Sequence, residues 1–410
     1  MEPEEELFRA CKDDGGGGHK KAYGEIELIT EKALRIGINA LYLLPGRVGG
    51  SEVYIRSLVK FITRAGSTHE FFIFINRETK GVFDALAPPL NVIECNVRAC
   101  SRVKRILYEQ VVLPVKVRDL KIDALFSAGM TAPFFCPVKS VLAIYDLQHI
   151  NQPENFPRMQ LPFLRGITRL SAKGADRIVT ISHAVKRDIV THYKIPGHKV
   201  FVAHLAADRK VFFPRDEKEV ADARRRLKLP DRYILYLASS LPHKNYERLL
   251  NAFLEVRASE PGVKLLLAGA REHGAGEIKE KIESLGLGND VVLLGWLPFE
   301  DIPLLYSAAS LLAFPSLHEG FGIPVVEAMA SGVPVVCSSI EVLKEVAADA
   351  ALFVDPLLPQ DIARGMLRVL RDKALREDII KKGINRAAQF SWENTAGITL
   401  KAIEGLMEKA

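Results

Sequence analysis

Glu319 and Glu327 stand on either side of a glycine-containing stretch in the segment FPSLHEGFGIPVVEAMASGVPVV, Phe314 to Val336. The apolar run LLAFPS reads as a strand, Gly320 and Gly322 as a turn, and Pro324 as the first position of a helix, where its fixed φ is already suitable. A strand, a glycine turn and a helix N-terminus aim free backbone N–H groups and the positive end of a helix dipole at one point. A diphosphate fits such a place, because glycine lets an anion approach the main chain closely. Glu319 in the loop and Glu327 about one turn into the helix could face the same crevice, each able to accept two hydroxyl hydrogen bonds. Paired hydroxyls of a ribose or hexose are the matching ligand. The plainer alternative is a tight turn with two surface glutamates, and the spacing alone leaves both readings open.

A second glycine turn, Gly49 and Gly50, follows the apolar run LRIGINALYL and precedes Ser51 and Glu52 at the start of an amphipathic stretch. Such a pair also makes tight loops that bind nothing. The chain has no Asp-x-Asp, no His-x-x-x-His and no clustered Cys/His set, so neither a dedicated divalent-metal site nor a cofactor is expected. It also lacks a GxSxG elbow and a GxxxxGK loop, which removes the common hydrolase and P-loop readings.

These residues need elements to hold them. From Leu34 onward, apolar runs (HEFFIFIN, NVIECNV, IDALFSA, SVLAIYD, DRIVTIS, KVFVAHL) alternate with helical patterns such as SEVYIRSLVKFI. A polar, helix-prone segment from Pro214 to Pro230 interrupts the alternation, which then restarts with YILYLAS, KLLLAG, VVLLGW, LLAFPS, VPVVCSS and ALFVD. This is the pattern of two parallel, helix-covered sheets in series. Each half has the length of a doubly wound α/β domain, and such sheets bind ligands at the carboxyl ends of their strands. The cleft between the halves is therefore the expected site. The expected division is a mobile tail over 1–32, an N-terminal domain over 33–212, a C-terminal domain over 213–390, and a final helical segment over 391–410 that returns to the first domain. The run Gly15 to Gly18 in the tail has no strand feeding it and no helix leaving it, so it is not read as a phosphate loop.

Composition sets outer bounds. With 410 residues, 48% hydrophobic and 26% charged, the chain is of ordinary globular make-up, which sets aside disorder, collagen and coiled coil. A net charge of +6 is too mild at this length to argue for nucleic acid. No apolar run is long enough to cross a bilayer, and the opening Met-Glu-Pro-Glu-Glu-Glu reverses the order of a secretory signal. The five cysteines are an odd number without a CxxC pair, so a reducing cytoplasm is the expected compartment.

The Phe314 to Val336 segment resembles the signature of retaining glycosyltransferases of the GT-B fold, specifically family 4, in which two glutamates with seven residues between them are embedded in EGFGxPxxEAMAxGxPVV. The resemblance extends through GGSEVYIRSL, RILYEQVVLP, YDLQHINQPENF, ADRIVTISHAVKRDI, LPHKN, LLGWLPFEDIPLLYSAASLLAFPS and FSWENTA. It implies a metal-independent hexosyltransferase with two Rossmann-like domains facing a cleft, a nucleoside diphosphate sugar as donor and a saccharide or lipid-linked glycan as acceptor. By resemblance, Glu327 holds the ribose, while Glu319 and the backbone of Gly320, Phe321 and Gly322 hold the sugar and diphosphate. Lys244 neutralises the diphosphate, Trp296 and Leu297 border the base, and Gly49 and Gly50 shape the acceptor side. Asp146 joins Glu319 and Lys244 as a catalytic candidate. The chain departs from the family where Ser239, next to Ser240, replaces a frequent arginine, and where Tyr145 precedes Asp146 in place of a histidine; His149 is nearby. YDLQHINQPENF looks most like members that transfer mannose from GDP-mannose in polysaccharide assembly.

Between Arg98 and Lys121, basic residues outnumber acidic ones around Ile106, Leu107, Val111, Val112 and Leu113. A solvated amphipathic helix is one reading; a peripheral contact with anionic lipid is the other. The rival functions are a GT-B epimerase, a glycosidic phosphorylase, and a non-catalytic sugar-nucleotide-binding protein.

Overall fold

A computed structural model describes residues 33–46, 49–84, 90–269 and 272–407. The expected tail, 1–32, lies outside them. The first half holds strands β1 (Arg35–Asn39), β2 (Glu70–Ile75), β3 (Leu90–Glu94), β4 (Ala124–Ser127), β5 (Lys139–Ile144), β6 (Arg177–Thr180) and β7 (Val200–Val202). They form one parallel sheet in the order β3-β2-β1-β4-β5-β6-β7. Helices α1 (Gly50–Ala65), α2 (Arg102–Asp119), α3 (Gln148–Asn151), α4 (Leu161–Gly174) and α5 (His183–Tyr193) connect them. The strand β2, EFFIFI, shows why the sheet is covered: all but its first residue is buried, as a parallel strand with helices on both faces requires.

The second half opens with α6 (Glu217–Leu227), whose Asp216 and Glu219 form a capping box. Strands β8 (Tyr233–Leu237), β9 (Lys264–Ala268), β10 (Val291–Gly295), β11 (Leu311–Phe314), β12 (Val335–Ser338) and β13 (Leu352–Val354) make a second parallel sheet, ordered β10-β9-β8-β11-β12-β13. Its helices are α7 (Tyr246–Ser259), α8 (Glu272–Ser284), α9 (Ile302–Ala308), α10 (Ile323–Ala330), α11 (Glu341–Ala347), α12 (Pro359–Arg371) and α13 (Lys373–Ala387). In each sheet the strand order reverses beside the first strand, between β1 and β4 and between β8 and β11. A crevice opens at such a reversal, because the flanking connections leave on opposite faces.

The last helix, α14 (Trp392–Glu404), crosses back and lies against α1 of the first half. Two polar contacts fix it there. Buried His69 accepts the Leu34 N–H on Nδ1, so its Nε2–H donates to Glu404 at 2.9 Å. The Arg177 guanidinium donates to the carbonyls of Lys401, Ala402 and Gly405, satisfying free carbonyls at the negative end of the helix.

Candidate functional site

The carboxyl ends of the strands beside the two switch points carry most of the candidate residues. On the second sheet, β8 leads into Ser239 and Ser240 and then a single 3-10 turn, Pro242–Lys244. Asn245 ends that turn in the left-handed region at φ 65°, where asparagine is among the better tolerated residues. Its buried side-chain amide donates to the carbonyls of Pro315 at 2.9 Å and Pro356 at 2.7 Å. The Leu317 N–H adds a bond to the His243 carbonyl at 2.8 Å. The turn after β8 is thereby stitched to the loop after β11, and Lys244 meets Glu319: Nζ to Oε1 is 2.6 Å, both side chains largely buried.

That loop continues through Gly320, Phe321 and Gly322 into α10, with Pro324 in its first turn. Gly322 has φ 99°, and a Cβ there would lie 2.6 Å from the Leu343 side chain, so glycine is required on both counts. The Phe321 ring is buried against His204 and Phe390, leaving only its backbone to face a ligand. Glu327 sits one turn further along, buried, and accepts the Tyr306 O–H at 2.9 Å. Burial pushes its carboxyl up to about 7, the Tyr306 hydrogen bond only partly opposing this. Glu319 and Glu327 thus flank one helix N-terminus in different environments, one ion-paired and one buried against a phenol.

The other candidates take up varied places. Trp296, just beyond β10, is 59% exposed, so it is not a core residue, and Leu297 beside it is half-buried. Asp146, after β5, accepts the Gln148 N–H at 3.2 Å. Gly49 and Gly50 open α1, and a Cβ on Gly50 would lie 3.6 Å from Ile323 at the start of α10, so two helix N-termini meet across the cleft. The Tyr145 hydroxyl donates to the Ala128 carbonyl and lies 3.4 Å from that of Tyr42, with Tyr54 edge-on at 5.0 Å. Its ring is thus held within the first domain by Ala128, Tyr42 and Tyr54. The nearby His149 ring is buried on the Tyr193 hydroxyl at 3.0 Å.

Contacts across the cleft were not legible in the motifs. A Cβ on Gly320 would run into the Tyr145 carbonyl oxygen, so the two loops touch main chain to main chain. Gln148 of α3 donates its amide N–H to His243 Nδ1 at 2.6 Å, next to Lys244. That imidazole is pushed down to about 4, by burial first and by Lys244 second, so Nδ1 is free to accept near neutral pH. Glu345 of α11 accepts the first N–H groups of α5, from His183 at 2.7 Å and Ala184 at 3.0 Å, and the His204 Nε2–H at 2.8 Å. His183, His204 and Glu345 also bring three potential metal-ligand atoms within 4.8 Å of one another. The carboxylate there is already committed to a helix N-terminus, whose positive end disfavours a cation.

Comparison with known proteins agrees with this geometry. The Glycosyltransferase Family 4 model matches residues 48–211, and the Glycosyl transferases group 1 model matches residues 217–386. O-antigen chain mannosyltransferase B of Escherichia coli is 32% identical over 269 residues, which span 64% of this chain and 70% of that protein. O-antigen chain mannosyltransferase RfbU of Salmonella typhimurium is 28% identical over 254 residues, 62% of this chain and 66% of that one. The solved structure of sucrose-phosphate synthase from Thermosynechococcus elongatus superimposes with a TM-score of 0.74 at 19% identity, covering 91% of this chain and 99% of that one. Two parallel Rossmann-like sheets, a return helix and a glycine loop at the second switch point are the parts of a GT-B enzyme, and the chain belongs to the family 4, group 1 glycosyltransferases.

Proposed function

We propose that this glycosyltransferase is a retaining, metal-independent hexosyltransferase that moves mannose from GDP-mannose to a saccharide or lipid-linked glycan, working as a peripheral protein at the cytoplasmic face of a membrane. The observation that carries the reading is the Lys244–Glu319 pair at the N-terminus of α10. When a diphosphate enters, Lys244 exchanges the carboxylate for phosphate oxygens, and Glu319 is released toward the sugar hydroxyls. The N–H groups of the Gly320–Gly322 loop and the α10 dipole add positive potential without a metal ion. Glu327 takes the ribose hydroxyls in its ionised form.

In the transfer step the acceptor oxygen bonds to the anomeric carbon on the face from which the diphosphate departs. The anomeric carbon–oxygen bond to phosphate breaks, and the acceptor proton passes to the departing phosphate oxygen. No protein nucleophile is needed, and the oxyanion is stabilised where its charge develops. The names of the E. coli and Salmonella relatives support mannose as the sugar.

The test is turnover of GDP-mannose with candidate acceptors in the presence of chelator, the product's anomeric configuration being read by NMR. An α-linked product from the α-configured donor is expected, and a β-linked product would overturn retention. Donor turnover without acceptor would instead indicate an epimerase, and dependence on inorganic phosphate a phosphorylase.

A further inference from the structure

Helices α2 and α4 lie on the same face of the first sheet, joined through the loop at residues 132–137. Gln110 of α2 donates to the Ala132 carbonyl at 3.0 Å and accepts the Phe134 N–H at 2.9 Å, while Ser171 of α4 accepts the Ala132 N–H at 3.1 Å. The three segments therefore make one continuous surface. The inner side of α2 is ordinary core, with Ile106, Leu113 and Val117 buried. The outer side is not: Val103, Leu107 and Val111, at four-residue steps, are 58–65% exposed. Phe135 of the loop is 92% exposed, and Phe163 and Leu170, one face of α4, are 45% and 54% exposed. Apolar side chains gathered in this way on a water-facing surface mark a contact site.

Cations frame the patch. Arg102, Lys104 and Arg118 on α2, and Arg165, Arg169 and Lys173 on α4, are all exposed. Among the described residues, the ion pairs on this part of the molecule, Arg105 with Glu109 and Lys139 with Asp176, involve none of them. From Asn155 to Ala175 there is no acidic residue at all. A protein partner's docking surface is depleted of lysine and uncompensated charge at its centre. Aliphatic and aromatic side chains bordered by cations of one sign suit a layered partner, apolar within and anionic at its surface.

We propose that the α2–α4 face rests on an anionic phospholipid bilayer, with Leu107, Val111, Phe135 and Phe163 at the headgroup–acyl boundary and the flanking Arg and Lys at the lipid phosphates. Both helices start at the carboxyl edge of the sheet, the edge that faces the cleft, so docking brings the acceptor side of the cleft beside the membrane. The proposal deepens the peripheral association in the function proposed above, but lipid partition is read without turnover, so the two stand or fall separately.

The test is sedimentation of the full chain with vesicles of phosphatidylcholine alone and of phosphatidylcholine with phosphatidylglycerol. Preferential partition onto the phosphatidylglycerol vesicles, weakened by salt, is expected. The double variants Leu107→Glu/Val111→Glu and Arg165→Glu/Arg169→Glu should each lower that partition roughly tenfold or more. Their melting temperatures, measured alongside, separate a lost surface from a lost fold. Equal partition on the two vesicle types, or variants that partition like the parent, would overturn the proposal. So would a dimer in lipid-free sedimentation velocity that Leu107→Glu dissociates, since the patch would then join two copies of the chain.

Discussion

Lys244 and Glu319, one after β8 and the other after β11, meet in a 2.6 Å ion pair at the N-terminus of α10. In the proposed function the pair occupies the place that the donor diphosphate takes, with Glu319 standing in for its charge in the free protein. On that proposal, replacing Lys244 with Ala removes the cation that faces the departing diphosphate. Initial rates should fall by roughly 10²–10³, the cost of losing one group that stabilises developing charge. A variant within threefold of the parent would show that Lys244 is only a structural partner of Glu319.

Asn245 holds that pair together from behind. Asn245→Ala leaves the Pro315 and Pro356 carbonyls without their donor and puts alanine in a left-handed conformation. A stability loss of about 2–4 kcal/mol is expected from unpaired buried acceptors and backbone strain, measured by urea unfolding. Activity should fall further than stability accounts for, because Lys244 is the preceding residue.

Glu327 predicts a pH dependence with a definite sign. Its folded-state pKa is raised to about 7 by burial, so between the ordinary carboxylate range and pH 7 the folded chain keeps a proton that the unfolded chain has released. Its contribution to stability is full at low pH and is lost as pH rises through that window, with a slope of up to roughly 1.4 kcal/mol per pH unit. Glu327→Gln should remove this part of the slope in unfolding curves taken from pH 4 to 8. Nucleotide affinity should move the other way and rise through pH 7, since the ionised carboxylate is the better acceptor for ribose hydroxyls.

Gly320 tests the contact between the halves. Gly320→Ala puts a methyl group against the Tyr145 carbonyl, which is main chain and cannot swing aside. The loops must separate, and kcat/KM should fall at least tenfold while the melting temperature changes little, because each domain's own core is untouched. Parent-like kcat/KM would mean that this approach of the loops is not needed for turnover.

The strands were legible because parallel, doubly covered strands are continuous apolar runs: EFFIFI and YILYL announce themselves. The glycine loop and Pro324 were legible for a similar reason, since their backbone demands are local. What the chain order hides is proximity. Nothing in the spacing of Tyr306 and Glu327 says that a phenol will bury the carboxylate and raise its pKa. Gln148 and His243 lie 95 positions apart and meet only because two sheets face each other. Tyr145 was legible as a departure from the family but not in its consequence, because the ring's place depends on Tyr42 and Ala128. In α2 the apolar residues run around much of the helix, and only the fold decides that Leu113 turns inward and Leu107 outward.

In the proposed function the Lys244–Glu319 site receives the diphosphate of a sugar nucleotide. Thermal unfolding of the parent chain and of Lys244→Ala, with GDP, UDP, GDP-mannose and UDP-glucose in chelator, reads this binding without turnover. GDP and GDP-mannose should stabilise the parent by roughly 2.7 kcal/mol at a hundred times their Kd, and Lys244→Ala should lose most of this at the same concentration. No stabilisation by any of the four, or equal stabilisation of both proteins, would contradict it.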